Sequence, residues 1–156
     1  MTPERAAAPE YRQARPDDAE ACIDLRGRTR ENAFSREELR NLGITPETWR
    51  DGIAEGLFPG YVFTSGGRIG GYCFGDSDSG EILVLAVLPD FEGSGVGRTL
   101  LGLMVEDFRK RGFHRLFLGA ATDPGVRSHG FYRHLGWVPT GGIDDAGDEI
   151  MELILA

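Results

Sequence analysis

The 156-residue chain has little of what metal, redox and membrane chemistry requires. Its two cysteines, Cys22 and Cys73, are too far apart in sequence to form a close metal or redox pair. Of its three histidines, His129 and His134 have no partner ligands at a useful spacing, so we expect no metal site. No secretory signal and no apolar run long enough to cross a bilayer is apparent, which predicts a protein of the reducing cytoplasm with no membrane partner.

Basic residues are also few. The chain has 17 Lys and Arg against 25 Asp and Glu, which gives a net charge of −8. Because nucleic acids and anionic membranes bind cationic surfaces, this charge argues against both as partners. It favours a cationic acceptor, such as an amine-bearing small molecule or a basic peptide.

The length is sufficient for one domain with a proper core, and no linker divides the chain. Residues 1–9 are polar and rich in Ala and Pro, which predicts a flexible N-terminal tail. We therefore expect a single domain over residues 10–156.

The most informative stretch is an apolar strand followed by a glycine-broken turn and an amphipathic helix. The strand is predicted at Ile82–Leu88 and ends at Pro89. Gly93, Gly95 and Gly97 then permit left-handed backbone angles and leave the backbone uncovered by side chains. The helix that follows points free N–H groups and a positive dipole end at the loop. This order predicts an anion-binding site.

Two common nucleotide motifs do not fit this loop. A dinucleotide fingerprint needs the spacing G-x-G-x-x-G, which Gly93, Gly95 and Gly97 do not have. A Walker loop needs Lys and then Ser or Thr after its last glycine, whereas Arg98 and Thr99 follow Gly97.

The stretch instead resembles motif A of the GNAT superfamily of N-acetyltransferases, (Gln/Arg)-x-x-Gly-x-(Gly/Ala) after a strand that ends in Val-x-Pro. Val87-Leu88-Pro89, Gly95 and Gly97 match it, and Glu92 replaces the family's Gln or Arg. Arg98 is a candidate to offset that negative charge.

A second resemblance lies downstream at the family's usual separation. Ser128–Trp137 is similar to GNAT motif B, Ala-x-x-Phe-Tyr-x-x-x-Gly-Phe, with matches at Phe131, Tyr132 and Gly136. Gly125 departs from it, since many relatives have Asn there. The paired motifs make the resemblance specific.

The resemblance implies an α/β (α+β) fold, a mixed and mostly antiparallel sheet of about six to seven strands with about four to five helices. It also implies acetyl-CoA as cosubstrate, with the pantetheine arm beside β-strand residues and the diphosphate on the glycine loop. The implied cofactor-binding residues are Leu85, Val87, Gly93, Ser94, Gly95, Val96, Gly97 and Arg98.

Two residues are candidates for catalysis. A gap-free alignment through motif A places Glu81 where the histone acetyltransferase branch has a general base, and an amine must lose a proton before it attacks a thioester. The alternative for Glu81 is an ordinary solvated carboxylate at the start of a strand. Tyr132 is implied to protonate or hydrogen-bond the departing thiolate, and its alternative is aromatic packing between helix and sheet.

The acceptor site is implied to lie against the helical segment after the first strand. Its candidate residues are Arg30, Asn32 and Phe34, whose alternative roles are helix capping and packing. The sequence does not name the acceptor, and it leaves a homodimer open.

These observations predict an acetyl-CoA-dependent N-acetyltransferase that acts on a primary amine by direct attack in a ternary complex. Two alternatives stay open. One is an acyl-CoA-binding or sensing module without turnover, and the other is a fold relative that uses a longer acyl donor or aminoacyl-tRNA.

Overall fold

The computed structural model describes residues 8–29 and 34–155. In this part of the chain there are seven strands and five helices. In chain order these are β1 Glu10–Gln13, α1 Ala19–Arg26, α2 Arg36–Asn41, α3 Pro46–Ala54, β2 Gly60–Ser65, β3 Arg68–Gly75, β4 Ile82–Val87, α4 Val96–Lys110, β5 Arg115–Ala120, α5 Arg127–His134, β6 Val138–Ile143 and β7 Glu149–Ile154.

The strands form two antiparallel sheets, with the orders β1-β2-β3-β4 and β5-β7-β6. One parallel bridge joins the sheets and pairs Glu81, just before β4, with Phe117 of β5. The Phe117 N–H also donates to the Gly80 carbonyl at 3.3 Å. Because β4 otherwise pairs with β3 and β5 with β7, the two parallel strands separate beyond this bridge. The mixed, mostly antiparallel α/β fold expected from the sequence is confirmed.

Helix α4 contributes more buried residues to the larger hydrophobic core than any other element. Leu100, Leu101, Met104 and Phe108 lie on one stripe and are at most 2% exposed, as the helical periodicity predicts. Gly75 of β3 permits a close approach, because a Cβ there would lie 2.4 Å from the Phe108 ring. Burial of each large side chain stabilises the fold by about 1.5–3 kcal/mol. The stripe therefore fixes the N-terminus of α4 against the sheets.

The sequence predicts helix starts capped by Ser35 and Thr45, and local hydrogen bonds fix both in the structure. The Ser35 hydroxyl accepts from the Glu38 N–H, and the Glu38 carboxylate accepts from the Ser35 N–H, both at 3.1 Å. Thr45 caps α3 in the same way, with Pro46 in the first helical position. None of the helices in residues 8–29 and 34–155 is both long and apolar enough to span a membrane.

The adjacent glycines Gly70 and Gly71 predict a bulge or a close backbone approach in this strand, and the structure has both. Phe63 of β2 faces Gly71 and the next residue faces Ile69, so Gly70 is the extra residue. A Cβ on Gly70 would lie 2.5 Å from the Phe91 ring. The glycine thus allows the segment that leads to the glycine loop at Gly93–Gly97 to pack directly on the strand.

One strand was not predicted. The sequence predicts a glycine-rich turn over residues 140–147, but Val138–Ile143 forms strand β6 beside β7. Its register breaks between Pro139 and Ile143, where Gly141 and Gly142 lie. The sequence pattern does not indicate this strand, because its residues are exposed and show no alternation of apolar and polar side chains.

Candidate functional site

A cleft of about 460 Å³ opens where β4 and β5 separate. Strand β4 contributes Ile82 to Val87, and the end of β5 and helix α5 contribute residues across from it. The glycine loop and the first turn of α4 supply the remaining lining. Of the predicted cofactor-binding residues, all except Ser94 line the cleft, namely Leu85, Val87, Gly93, Gly95, Val96, Gly97 and Arg98.

The glycines of the loop have different roles. Gly93 and Gly95 have φ angles of 77° and 88°, a left-handed conformation that other residues adopt at a cost. Gly97 is an ordinary helical residue, and a Cβ there would be 3.6 Å from Phe131. Ser94 is exposed, and its hydroxyl donates to the Phe91 carbonyl at 2.5 Å. Ser94 therefore stabilises the turn from outside the cleft.

Helix α4 begins without a side-chain cap. Its N-cap residue is Gly95, whose carbonyl accepts the first intrahelical bond from the Thr99 N–H at 3.0 Å. The N–H groups of Val96, Gly97 and Arg98 precede that bond and have no acceptor inside the helix. Together with the positive end of the helix dipole, they form a site suited to a phosphate group that enters the cleft.

The negative charge of Glu92 has an ion-pair partner in the structure. Its carboxylate Oε2 lies 3.3 Å from Nη1 of Arg127, at the start of α5, and both residues line the cleft. The sequence indicated Arg98 as the offsetting cation, and Arg98 lines the cleft as well. Sequence reasoning missed Arg127, because the contact joins residues 35 positions apart.

Tyr132 is in the cleft lining on α5 and is 9% exposed. Its ring makes edge contacts with Phe131 and Trp137, with centroid separations of 5.1 and 6.0 Å. Burial raises the pKa of the Tyr132 hydroxyl above its ordinary value. The phenol is therefore neutral across the physiological range, a hydrogen-bond donor at the edge of the cleft.

Glu81 lies at the junction of the two sheets and not among the residues that line the cleft. Its carbonyl accepts from the Asp76 N–H at 2.8 Å, and its N–H donates to the Ser79 hydroxyl at 3.2 Å. Burial, followed by the charges of Asp76 and Asp144, raises the pKa of the Glu81 carboxyl. Glu81 thus has the shifted pKa expected of a base, but it stands beside the cleft.

A second carboxylate, Asp148, does line the cleft. Asp144 holds it in place by accepting from the Asp148 N–H at 2.9 Å, and a Cβ on Gly119 would be 3.3 Å from the Asp148 Cβ. Burial and the neighbouring Asp144 raise the pKa of Asp148. No sequence pattern indicated it, because this turn meets β5 only through the pairing of β5 with β7.

The part of the cleft that the sequence predicts to bind the acceptor is described only in part. Arg26 and Thr29, at the end of α1 and just after it, line the cleft. Phe34 is outside the lining, but its ring lies 4.9 Å from the Arg26 guanidinium carbon, a distance typical of a cation–π contact. The predicted acceptor residues Arg30 and Asn32 lie outside the described residues.

The family is shown by a sequence comparison. The model for the acetyltransferase (GNAT) family matches residues 19–137. The chain belongs to the GNAT acetyltransferase family. This GNAT chain has no significant match among curated proteins.

In the part of the chain that the structure describes, no group of three or more His, Cys, Asp or Glu side chains could hold a metal ion.

Solved GNAT structures share the fold of this chain. The PaiA N-acetyltransferase from Thermoplasma acidophilum, in complex with coenzyme A, is 19% identical with a TM-score of 0.78, over 95% of this chain and 99% of that one. The yncA protein from Salmonella typhimurium, solved with acetyl-CoA, is 19% identical with a TM-score of 0.72, over 96% and 95%. The ribosomal-protein-S18-alanine N-acetyltransferase from Escherichia coli is 20% identical with a TM-score of 0.70, over 95% and 94%.

Proposed function

We propose that this GNAT domain, over residues 10–156, is an acetyl-CoA-dependent N-acetyltransferase that acetylates a primary amine by direct attack in a ternary complex. The observation that carries the proposal is the meeting of three features in one cleft. These are an uncapped helix N-terminus with left-handed glycines, a strand whose second edge is open, and the buried phenol of Tyr132. The relatives solved with coenzyme A and acetyl-CoA support this choice of donor.

The cleft residues fit the parts of acetyl-CoA. The N–H groups from Gly93 to Arg98 are suited to the diphosphate. Strand β4 pairs with β3 on one edge, so its other edge offers backbone groups near Leu85 and Val87 to the amides of the pantetheine arm. When bound, the donor supplies an activated acetyl group as a thioester.

Tyr132 is proposed to stabilise the leaving sulfur. A thiol has a pKa of about 8.5, whereas a free tyrosine has a pKa of about 10, and burial raises that of Tyr132 further. Full proton transfer from Tyr132 to the thiolate is therefore uphill. Donation of a hydrogen bond to the developing negative charge costs no such transfer. We assign Tyr132 this donor role.

A base must remove a proton from the acceptor ammonium. We assign it to Glu81 acting through water, since Glu81 adjoins the cleft without lining it. Its raised pKa brings a carboxylate closer to the basicity that proton abstraction near neutral pH requires. Asp148 is the competing candidate, because it has a raised pKa and lines the cleft.

The acceptor is proposed to be a cationic small molecule or the amine of a peptide or protein. The net charge of −8 supports a cationic acceptor. The Escherichia coli relative is by name a ribosomal-protein-S18-alanine N-acetyltransferase, which supports a protein amine. Cys22 and Cys73 are both free and buried, in keeping with a reducing compartment such as the cytoplasm.

A thiol-release assay with acetyl-CoA and a panel of polyamines, amino acids and basic peptides tests this function. We expect CoA release that depends on an added amine, and acetylated product by mass spectrometry. Acetyl-CoA binding without turnover across the panel favours the sensing module. Thiol release only with longer acyl-CoA donors, or an aminoacylated acceptor detected by mass spectrometry after incubation with aminoacyl-tRNA, shows that the proposed donor is wrong.

A further inference from the structure

Glu92 poses a problem for an anion site. It takes the place of the family's Gln or Arg at the start of the glycine loop, and it lines the same cleft as Gly93, Gly95 and Gly97. The Glu92 side chain is only 18% exposed, so water screens its charge incompletely. A carboxylate in this place repels a diphosphate unless a cation accompanies it.

Arg127 is the cation that the fold brings to this carboxylate. It is the first residue of α5, and its Nη1 lies 3.3 Å from Glu92 Oε2. Arg127 also lines the cleft and its side chain is 53% exposed. A guanidinium has five N–H donors in a planar fork. It can therefore contact a carboxylate on one side and a phosphate in the cleft on another.

We propose that Arg127 is a ligand of the CoA diphosphate and that Glu92 is a positioning residue that holds it over the glycine loop. This rests on the proposed CoA site and adds to it a cation from α5 in place of the family's cation or amide within the loop. Glu92 and Arg127 act as a unit in which the carboxylate orients the guanidinium. The departure at Glu92 then strengthens donor binding instead of weakening it.

For Glu92→Gln, a positioning role and simple charge repulsion predict opposite changes in CoA affinity. If Glu92 only repels the diphosphate, Glu92→Gln tightens CoA binding. If Glu92 positions Arg127, Glu92→Gln weakens it, while in an Arg127→Gln background the same change tightens it because only the repulsion is left to remove. A double-mutant cycle measures this change of sign directly.

The experiment is isothermal titration of the wild type, both single variants and the double variant with CoA, dephospho-CoA and pantetheine. We expect Arg127→Gln to weaken CoA and dephospho-CoA about tenfold each, as for a charge-assisted hydrogen bond near solvent. Pantetheine, which has no diphosphate, keeps its affinity. Glu92→Gln is expected to weaken CoA roughly threefold.

Arg109→Gln is the matched control, because Arg109 lies in the last turn of α4, pairs with Glu106 and is outside the cleft lining. It makes the same charge change and should leave CoA affinity within about twofold. Thermal unfolding of each variant checks the fold.

Several results overturn the proposal. The first is an unchanged CoA affinity in Arg127→Gln. The second is a loss of affinity in Arg127→Gln that is seen with CoA but not with dephospho-CoA, which assigns Arg127 to the 3′-phosphate. The third is a CoA affinity that is unchanged or raised in Glu92→Gln. Because the readout is binding, a chain that binds CoA but turns over no amine refutes the proposed catalysis alone. A wild type that binds no CoA refutes both.

Discussion

The left-handed conformation of Gly95 is the most exacting backbone requirement of the proposed phosphate site. Its φ is 88°, and a Cβ built on it has no neighbouring atom within 4 Å. Gly95→Ala therefore introduces no clash, and its cost is conformational, about 1–2 kcal/mol. For a domain of this size we expect the melting temperature to fall by roughly 2–8 °C.

The same variant should affect ligand binding more than stability. A loop that relaxes from the left-handed angle moves the N–H groups of Val96 and Gly97 away from the anion they are suited to bind. Loss of hydrogen bonds to a charged group predicts CoA affinity lower by roughly tenfold or more. The assay is chemical denaturation together with the rise in melting temperature that CoA produces in each variant.

Gly102→Ala is the matched control within the same helix. Gly102 is exposed in the middle of α4, has no positive φ, and has space for a Cβ with no neighbouring atom within 4 Å of it. Alanine is favoured over glycine there by about 0.5–1 kcal/mol, so stability should rise while CoA affinity stays the same. If Gly95→Ala is as stable as Gly102→Ala and binds CoA as the wild type does, the loop reasoning is refuted.

Other parts of the molecule yield three further predictions. Tyr132→Phe should lower kcat about tenfold to a hundredfold with little change in acetyl-CoA binding, and an unchanged kcat shows that Tyr132 only packs. The reaction rate should fall as pH drops below an inflection that lies above the ordinary carboxyl pKa, since a base acts when deprotonated. Glu81→Gln should remove this acidic limb of the pH–rate profile, whereas Asp148→Asn should leave it in place. The reverse outcome assigns the base to Asp148. Asp18→Asn should destabilise the fold by about 1.5–3 kcal/mol, measured by denaturation, because Asp18 accepts two hydrogen bonds from Arg12 at 2.8 and 2.9 Å. Burial alone would raise the pKa of the Asp18 carboxyl, but the hydrogen bonds from Arg12 and from the Arg15 N–H, together with the charges of both arginines, lower it overall. This stability is therefore present above the ordinary carboxyl pKa and is lost as pH falls through the lowered pKa. Equal acid stability of wild type and variant contradicts this prediction.

Features that depend on neighbouring residues could be predicted from the sequence. The caps at Ser35 and Thr45, and the buried stripe of α4, depend on residues within four positions of one another. The bulge at Gly70 was predictable for a related reason, since adjacent glycines in an apolar strand indicate close backbone approach. The proposed cofactor loop could also be predicted, because its glycines and the helix that follows are adjacent in sequence.

Features that depend on distant pairing could not be predicted. Strand β6 is held by β7 and contains exposed residues, so no periodic pattern marks it. Glu92 meets Arg127 only because α5 returns to the glycine loop. Asp148 enters the cleft because β7 pairs with β5 and its preceding turn packs over Gly119.

A β-bulge that the gap-free alignment did not include determines the position of Glu81. In the pairing of β3 with β4, Phe74 faces Val84 and Gly75 faces Ile82, so Leu83 is an extra residue in β4. A bulge exchanges the faces of the residues on its two sides. Consistent with this, Ile82 and Leu85 both pack in the larger hydrophobic core around α4, although strict alternation along β4 would place the two side chains on opposite faces.

It follows that residues before the bulge cannot be assigned to the cleft by counting back from Leu85. Glu81 lies two residues before Leu83, about 7 Å along an extended strand, at the bridge that joins the sheets. We therefore expect its carboxylate to reach an amine held near the middle of β4 through water, whereas Asp148 lines the cleft itself. A solvent isotope effect that changes in Glu81→Gln but not in Asp148→Asn would support the relay, because only the water-mediated route moves two protons in the transition state.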